Sequence, residues 1–168
     1  DLKNLGIIYI APCDASSLNF KNEYFDYHFS YNVLEHINPL VIEKIFIESK
    51  RVLKKDGLLI HNIDYSDHFS HSDPNINSIN FLKFSPKIFN LIAGNQYMYM
   101  NRLRDDDLYY IFKKLNLKII FCERFIDSLL KKEIDEDREK FKLQKEFNKK
   151  SSDVLANIES WYCLEINN

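Results

Sequence analysis

Six side chains suited to acid–base chemistry or metal ligation crowd between positions 61 and 73: His61, Asp64, Asp67, His68, His71 and Asp73. An imidazole titrates near neutral pH and a carboxylate can accept a proton or orient an imidazole, so Asp64, Asp67 and His68 are candidate catalytic bases. His71 is a candidate grip on an acceptor substrate. Upstream, His36 sits in the run Leu34-Glu35-His36-Ile37 and could take a proton from a substrate hydroxyl. Downstream, Arg102 and Arg104 could fork onto a phosphate or carboxylate of that substrate. The competing structural roles are a solvated polar loop for the His/Asp run and surface pairing with Asp105–Asp107 for the arginines. Histidine and carboxylate are also preferred ligands of divalent metals, but the spacing follows no metal-binding motif and no metal is expected.

These residues need a frame. The run Ile7-Ile8-Tyr9-Ile10-Ala11, stopped by Pro12, reads as a buried strand, and residues 25–31 read as a second. Asn38 and Pro39 open a helix whose stripe runs through Val41, Ile45 and Val52, with Ile42, Phe46 and Leu53. Lys54 and Lys55 favour its negative end, and Gly57 is placed to stop it. Residues 58–63 make a third strand. Asp105–Asp107 cap a further helix bearing Leu108, Ile111, Phe112 and Leu115, with Asn116 at its end. Residues 117–125 and 160–166 read as the last strands, and the mixed charges of 127–150 as a solvated amphipathic helix.

Between them, residues 65–104 have Pro74 and Pro86 as breaks and no sustained period, as expected of a lid or acceptor-binding insertion. Its aromatics Phe81, Phe84, Tyr97 and Tyr99 suit a lid core better than a sugar-stacking platform. Strands alternating with helices predict a single α/β domain over 1–168 with a mostly parallel sheet.

The chain has 168 residues, a net charge of −2 and no concentrated basic face, which argues against a nucleic-acid partner. No apolar run is long enough to span a bilayer. Cys13, Cys122 and Cys163, odd in number and far apart, read as reduced thiols in or near the core of a cytoplasmic protein. Only Gly6, Gly57 and Gly94 are present, whereas a nucleotide-cradling loop needs several glycines close together.

Three stretches together carry a resemblance: Ile-Tyr-Ile-Ala-x-Cys-Asp-Ala, Phe-Asp-Tyr-His-Phe-Ser-Tyr-Asn-Val-Leu-Glu-His-Ile, and Arg-Val-Leu-Lys-Lys-Asp-Gly-Leu-Leu-Ile. In that order and spacing they resemble the class I methyltransferases, with Lys55-Asp56-Gly57 in place of the family's Pro-Gly-Gly turn. Asn101-Arg102-Leu103-Arg104 further resembles bacterial methyltransferases linked to surface-polysaccharide biosynthesis. The resemblance implies S-adenosylmethionine as cofactor, a Rossmann-like sheet of order 3-2-1-4-5-7-6 with an antiparallel last strand, and a small-molecule or sugar acceptor. It places Asp14, Ala15 and Ser16 beside the adenine, and Tyr31 and Asn32 near the sulfonium end.

The family's first strand and Gly-x-Gly-x-Gly loop have no counterpart among these residues. The expectation is therefore a domain lacking its first strands and inactive by itself, with Ile7–Ala11 either collapsing onto the 25–31 strand or remaining poorly ordered. Two other readings stay open: a catalytically dead binding or scaffold module, and a metal-dependent hydrolase built on the His61–Asp73 cluster.

Overall fold

The structure, a computed structural model, describes residues 2–94 and 99–167. Asn38 caps α1 (Pro39–Val52) by accepting a hydrogen bond from the Leu40 N–H, and Pro39 occupies the first turn, where its missing donor costs nothing. Ile42, Ile45, Phe46 and Val52 form the buried stripe.

The helix stops at Val52 and β2 (Leu53–Asp64) starts at once, so Gly57 is a strand residue rather than a helix stop. The register between β1 (Phe25–Tyr31) and β2 jumps from Phe25↔Leu53 to Tyr27↔Leu58. Gly57 lies in that irregularity, where a Cβ would meet Lys54 O at 3.0 Å and Asp26 O at 3.1 Å. Close backbone approach across a bulge is what demands glycine here. Lys54 accordingly leaves the helix end and pairs with Asp26 at 2.6 Å.

The sheet order is β1-β2-β4-β3, with β3 at Leu117–Ile126 and β4 at Asn157–Ile166. β1 and β2 pair in parallel, and β4 runs antiparallel to both β2 and β3, so three of the four strands point the same way. This is the 4-5-7-6 half of the implied order.

Ile7–Ala11 forms no strand. Ile8 and Tyr9 are about four-fifths exposed, and β1 pairs only with β2 among the described residues. A β-branched run becomes a strand only where a ladder accepts its N–H and C=O groups, and none is offered here. The cysteines also differ from expectation: Cys13 and Cys122 are exposed and Cys163 half-buried, all free.

One sheet face is covered by α1 and α3 (Asp105–Lys114), which bury Ile42, Phe46, Leu108 and Phe112 against Leu59, Ile63, Tyr162 and Leu164. The opposite face carries the exposed rings of Tyr27, Phe29 and Tyr31 beside Ile60 and Trp161. A second core gathers the insertion and the residues after β3. Phe81, Leu82 and Phe89 of the insertion pack with Leu130, Ile134, Phe141 and Phe147. The 127–150 segment is thus not one solvated helix. It breaks into α4 (Ser128–Glu136), a 3-10 turn and a short helix at Lys145–Asn148, with Leu130, Ile134, Phe141 and Phe147 turned inward. Within the insertion, α2 spans Pro86–Ala93. Phe81 and Phe84 belong to this core, and Tyr97 lies outside the described residues. No helix among the described residues is long and apolar enough to cross a membrane.

Arg104 and His61, two residues singled out in the sequence, prove to be framework. Arg104, fully buried, donates to the carbonyls of Tyr65, Val154, Leu155 and Asn157, so it cannot reach an acceptor. Its backbone N–H is in turn capped by Asp107. His61 points into the core, its Nδ1 2.8 Å from Ser30 Oγ and its ring against Phe46 and His28. Burial, with a smaller push from His28, lowers its pKa from 6.5 to about 3.

Replacing Arg104 by Met should orphan those carbonyls and cost about 3–5 kcal/mol, read as a lower denaturation midpoint. Since the unfolded chain takes up a proton on His61 below about pH 6.5 and the folded form does not until about 3, stability falls as pH drops through that window. The loss reaches at most about 1.4 kcal/mol per pH unit from this group. Denaturation of His61→Gln between pH 6.5 and 4 should therefore show a shallower decline than the parent; parallel slopes would put the acid sensitivity elsewhere.

Candidate functional site

Parallel pairing sends the carboxyl ends of β1 and β2 to the same edge of the sheet. The chain leaving β1 turns through a 3-10 turn at Leu34–His36, and the chain leaving β2 turns through another at His68–His71. Their side chains meet. The His36 and His68 rings lie 4.9 Å apart edge to face, and His68 stacks on His71 at 5.2 Å. Asp64, the last residue of β2, has Oδ2 3.4 Å from His68 Nε2 and 3.6 Å from His71 Nε2. The structure therefore brings together four residues predicted from sequence, namely His36, Asp64, His68 and His71.

Hydrogen bonds orient the members. His36 Nδ1 lies 2.9 Å from the Tyr99 carbonyl, which can only accept, so Nδ1 carries the proton and Nε2 a lone pair. The Ser66 N–H and hydroxyl both donate to Asp64 Oδ1, at 2.7 and 2.6 Å. With its proton so committed, Ser66 Oγ accepts from His71 Nε2 at 2.7 Å, leaving His71 Nδ1 unprotonated on a half-exposed ring. The neighbouring Asp64 carboxylate, against partial burial, holds the His68 pKa above its ordinary value. Burial opposes ionisation of Asp64, but the contacts from His68 and Ser66 outweigh it and its pKa falls.

Glu35 completes the group, though the sequence reading weighed only its neighbour. It is 3% exposed, and burial raises its pKa. Its backbone carbonyl accepts from the Asn101 N–H, and the Asn101 side chain donates to the carbonyls of Leu34 and Ile37, which pins the turn. Beside Glu35 and Asp64 is a cavity of about 10 Å³, lined also by Ile42, Phe81 and Met100, with room for about one water. A larger apolar hollow of about 210 Å³ opens between Phe69, Phe84, Phe89 and Ile92 of the insertion.

Other predicted residues stand apart. Asp67 is buried and structural: it accepts from the Phe69 N–H to cap its turn and from Asn80 Nδ2 at 3.2 Å. Asp73 closes a local turn with Asn75. Arg102 donates to the Phe84 carbonyl and lies over the rings of Phe89 and Phe147, a brace for the insertion. Asp14 is exposed, its carboxylate taken by the Ser16 N–H and hydroxyl, both at 2.8 Å. Among the described residues no hydrogen bond or ion pair joins Asp14, Ala15 or Ser16 to Tyr31 or Asn32. Those two do sit at the end of β1, where Asn32 takes a positive φ of 49° and donates its N–H to the Asn62 carbonyl.

Residues 2–61 match a family model described as a methyltransferase domain. A search of curated proteins finds no match. Among solved structures, a Pyrococcus horikoshii OT3 protein aligns with 92% of this chain and 57% of its own, at 15% identity and a TM-score of 0.52. A putative methyltransferase from Bacillus halodurans C-125 aligns with 98% of this chain and 79% of its own, at 14% identity and 0.52. A putative sarcosine dimethylglycine methyltransferase from Galdieria sulphuraria aligns with 92% of this chain and 58% of its own, at 15% identity and 0.52. The chain thus spans a little over half the length of the first and third of these. At such identities the likeness speaks for the fold: this chain has the Rossmann-like α/β fold of the methyltransferases it resembles.

Proposed function

We propose that this chain supplies the acceptor-side half of an S-adenosylmethionine-dependent methyltransferase acting on a small-molecule or sugar acceptor. The observation that carries this is the convergence of His36, Asp64, His68 and His71 at the carboxyl ends of two parallel strands. Open α/β sheets bind their ligands in that crevice. The methyltransferase-domain match over residues 2–61 supplies the reaction class. S-adenosylmethionine, when bound, supplies an electrophilic methyl group.

The residues assigned to that cofactor do not assemble a cradle here. Asp14 is exposed with its carboxylate engaged by Ser16, and Gly57 and Gly94 sit in a bulge and at a helix end. No cofactor step is therefore derived from this chain. On the acceptor side, His36 Nε2 and His71 Nδ1 each present a lone pair for a substrate proton, and Asp64 steadies the adjoining imidazoles. Desolvation by the insertion would leave the acceptor few competing waters. The missing cradle also keeps a binding or scaffold module in view as a second reading.

Calorimetric titration of this chain with S-adenosylmethionine should give no saturable heat, and low-micromolar binding would overturn the incomplete-cradle reading. In the full-length protein, transfer of labelled methyl groups to sugar and small-molecule acceptors should drop about 100-fold or more in kcat when His36 and His71 are both replaced by Gln. Equal rates in parent and double variant would remove these residues from the chemistry, and no transfer to any acceptor would favour the scaffold.

A further inference from the structure

Glu35 is unexplained by a proton-acceptor role. It is only 3% exposed, and neither carboxylate oxygen has a hydrogen-bond partner among the described residues. A buried carboxylate without a partner is costly, and such a group is usually neutralised by a cation or held in a complete network. Among the described residues no lysine or arginine forms an ion pair with it. The His36 and His68 imidazoles and the Asp64 carboxylate are its charged neighbours instead. One donor atom from each of Glu35, His36 and His68 lies within 4.8 Å of the other two.

We propose that Glu35, His36 and His68 bind a divalent transition-metal ion of the zinc or manganese class, with the Asp64 carboxylate beside them. Two features of the geometry favour a metal over a chance cluster. His36 is held by its Nδ1–H on the Tyr99 carbonyl, the arrangement by which metal-bound histidines are fixed in one tautomer with the other nitrogen free. His68 Nε2 is buried and makes no hydrogen bond, its contact with Asp64 being long at 3.4 Å. Two imidazoles and one carboxylate make a donor set suited to zinc, manganese or iron, and poorly suited to magnesium or calcium.

Donors about 2.1 Å from a common ion stand roughly 3–3.5 Å apart, so these would draw together by about 1 Å through side-chain rotation. Three protein donors leave positions open on the solvent side, where His36 and His71 are exposed.

The role of the metal rests on the methyl-transfer reading and sharpens it to oxygen acceptors. An acceptor hydroxyl bound at an open position would lose its proton more readily, as metal-bound water does. With His36 Nε2 committed to the ion, the base role passes to His71 alone, which would take that proton on Nδ1 while the oxygen keeps the electron pair for bond formation.

The test needs no cofactor. The chelator-stripped chain is titrated with Co2+, read by its visible absorption, and with Zn2+, read by calorimetry and melting temperature. One ion per chain, with a rise in melting temperature, is expected. His36→Asn changes an exposed residue and should fold; it should weaken binding at least about tenfold, and Glu35→Gln likewise. Asp73→Asn, in the same loop but outside the cluster, should bind as the parent does. Absence of saturable Co2+ and Zn2+ binding at millimolar metal, or equal affinity in the parent and both cluster variants, would overturn the proposal. A chain that binds metal in a full-length protein that moves no methyl group would sink the methyl-transfer reading alone. A methyltransferase indifferent to metal would sink this one alone.

Discussion

The parallel pairing of β1 with β2 is the constraint from which the rest follows. Two parallel neighbours need a crossover, here α1, and the crossover returns the chain so that both strands end at the same sheet edge. The register Ser30↔His61 and Tyr31↔Asn62 then sets how far each strand runs before it turns. Glu35 and His36 stand on the first turn, Asp64 at the end of β2 and His68 on the second turn, all at one edge of the sheet. Had the strands been antiparallel, the two turns would lie at opposite edges and no cluster would form.

Pairing also explains which residues end up inside. His61 and Asp64 are three positions apart on one strand, yet one is sealed against Phe46 and the other stands at the rim. The helix-covered face takes His61, Leu59 and Ile63, and the strand's exit frees Asp64. The same logic leaves the Tyr27, Phe29 and Tyr31 rings on an open face, because they alternate with the covered His28 and Ser30.

Much of this was legible in the amino-acid string. The Asn38-Pro39 start, the stripe of α1, the acidic start of α3 with Asn116 at its end, and the last two strands rest on local chemistry that tertiary structure had no cause to override. The failures have physical reasons. Ile7–Ala11 has the residues of a strand but no ladder to join, and propensity cannot supply a partner. Gly57 fits a helix stop as well as a bulge, since both tolerate a missing Cβ, and only the approach of the Asp26 carbonyl decides. In the site, the density of His and Asp after the strand points to Asp64, His68 and His71, and the Leu-Glu-His-Ile run to His36. Asp67 belongs to the same dense run and Arg104 to the same basic pair as Arg102, yet both serve the framework. Nothing in the string marks Glu35, since a glutamate is ordinarily solvated; its burial comes from packing by distant segments, including Asn101.

Arg104 has a consequence for how this domain can vary. One guanidinium group joins the backbone where the 65–104 excursion departs, at Tyr65, to the strand start at Asn157, and it belongs to the residue where that excursion returns. The excursion is thus knotted at its neck. Ends held together by a fixed clasp make loop length thermodynamically cheap to change. Residues can be gained, lost or exchanged between those ends while the strands stay where they are, so the shape of the apolar hollow in the insertion can drift without redesign of the sheet.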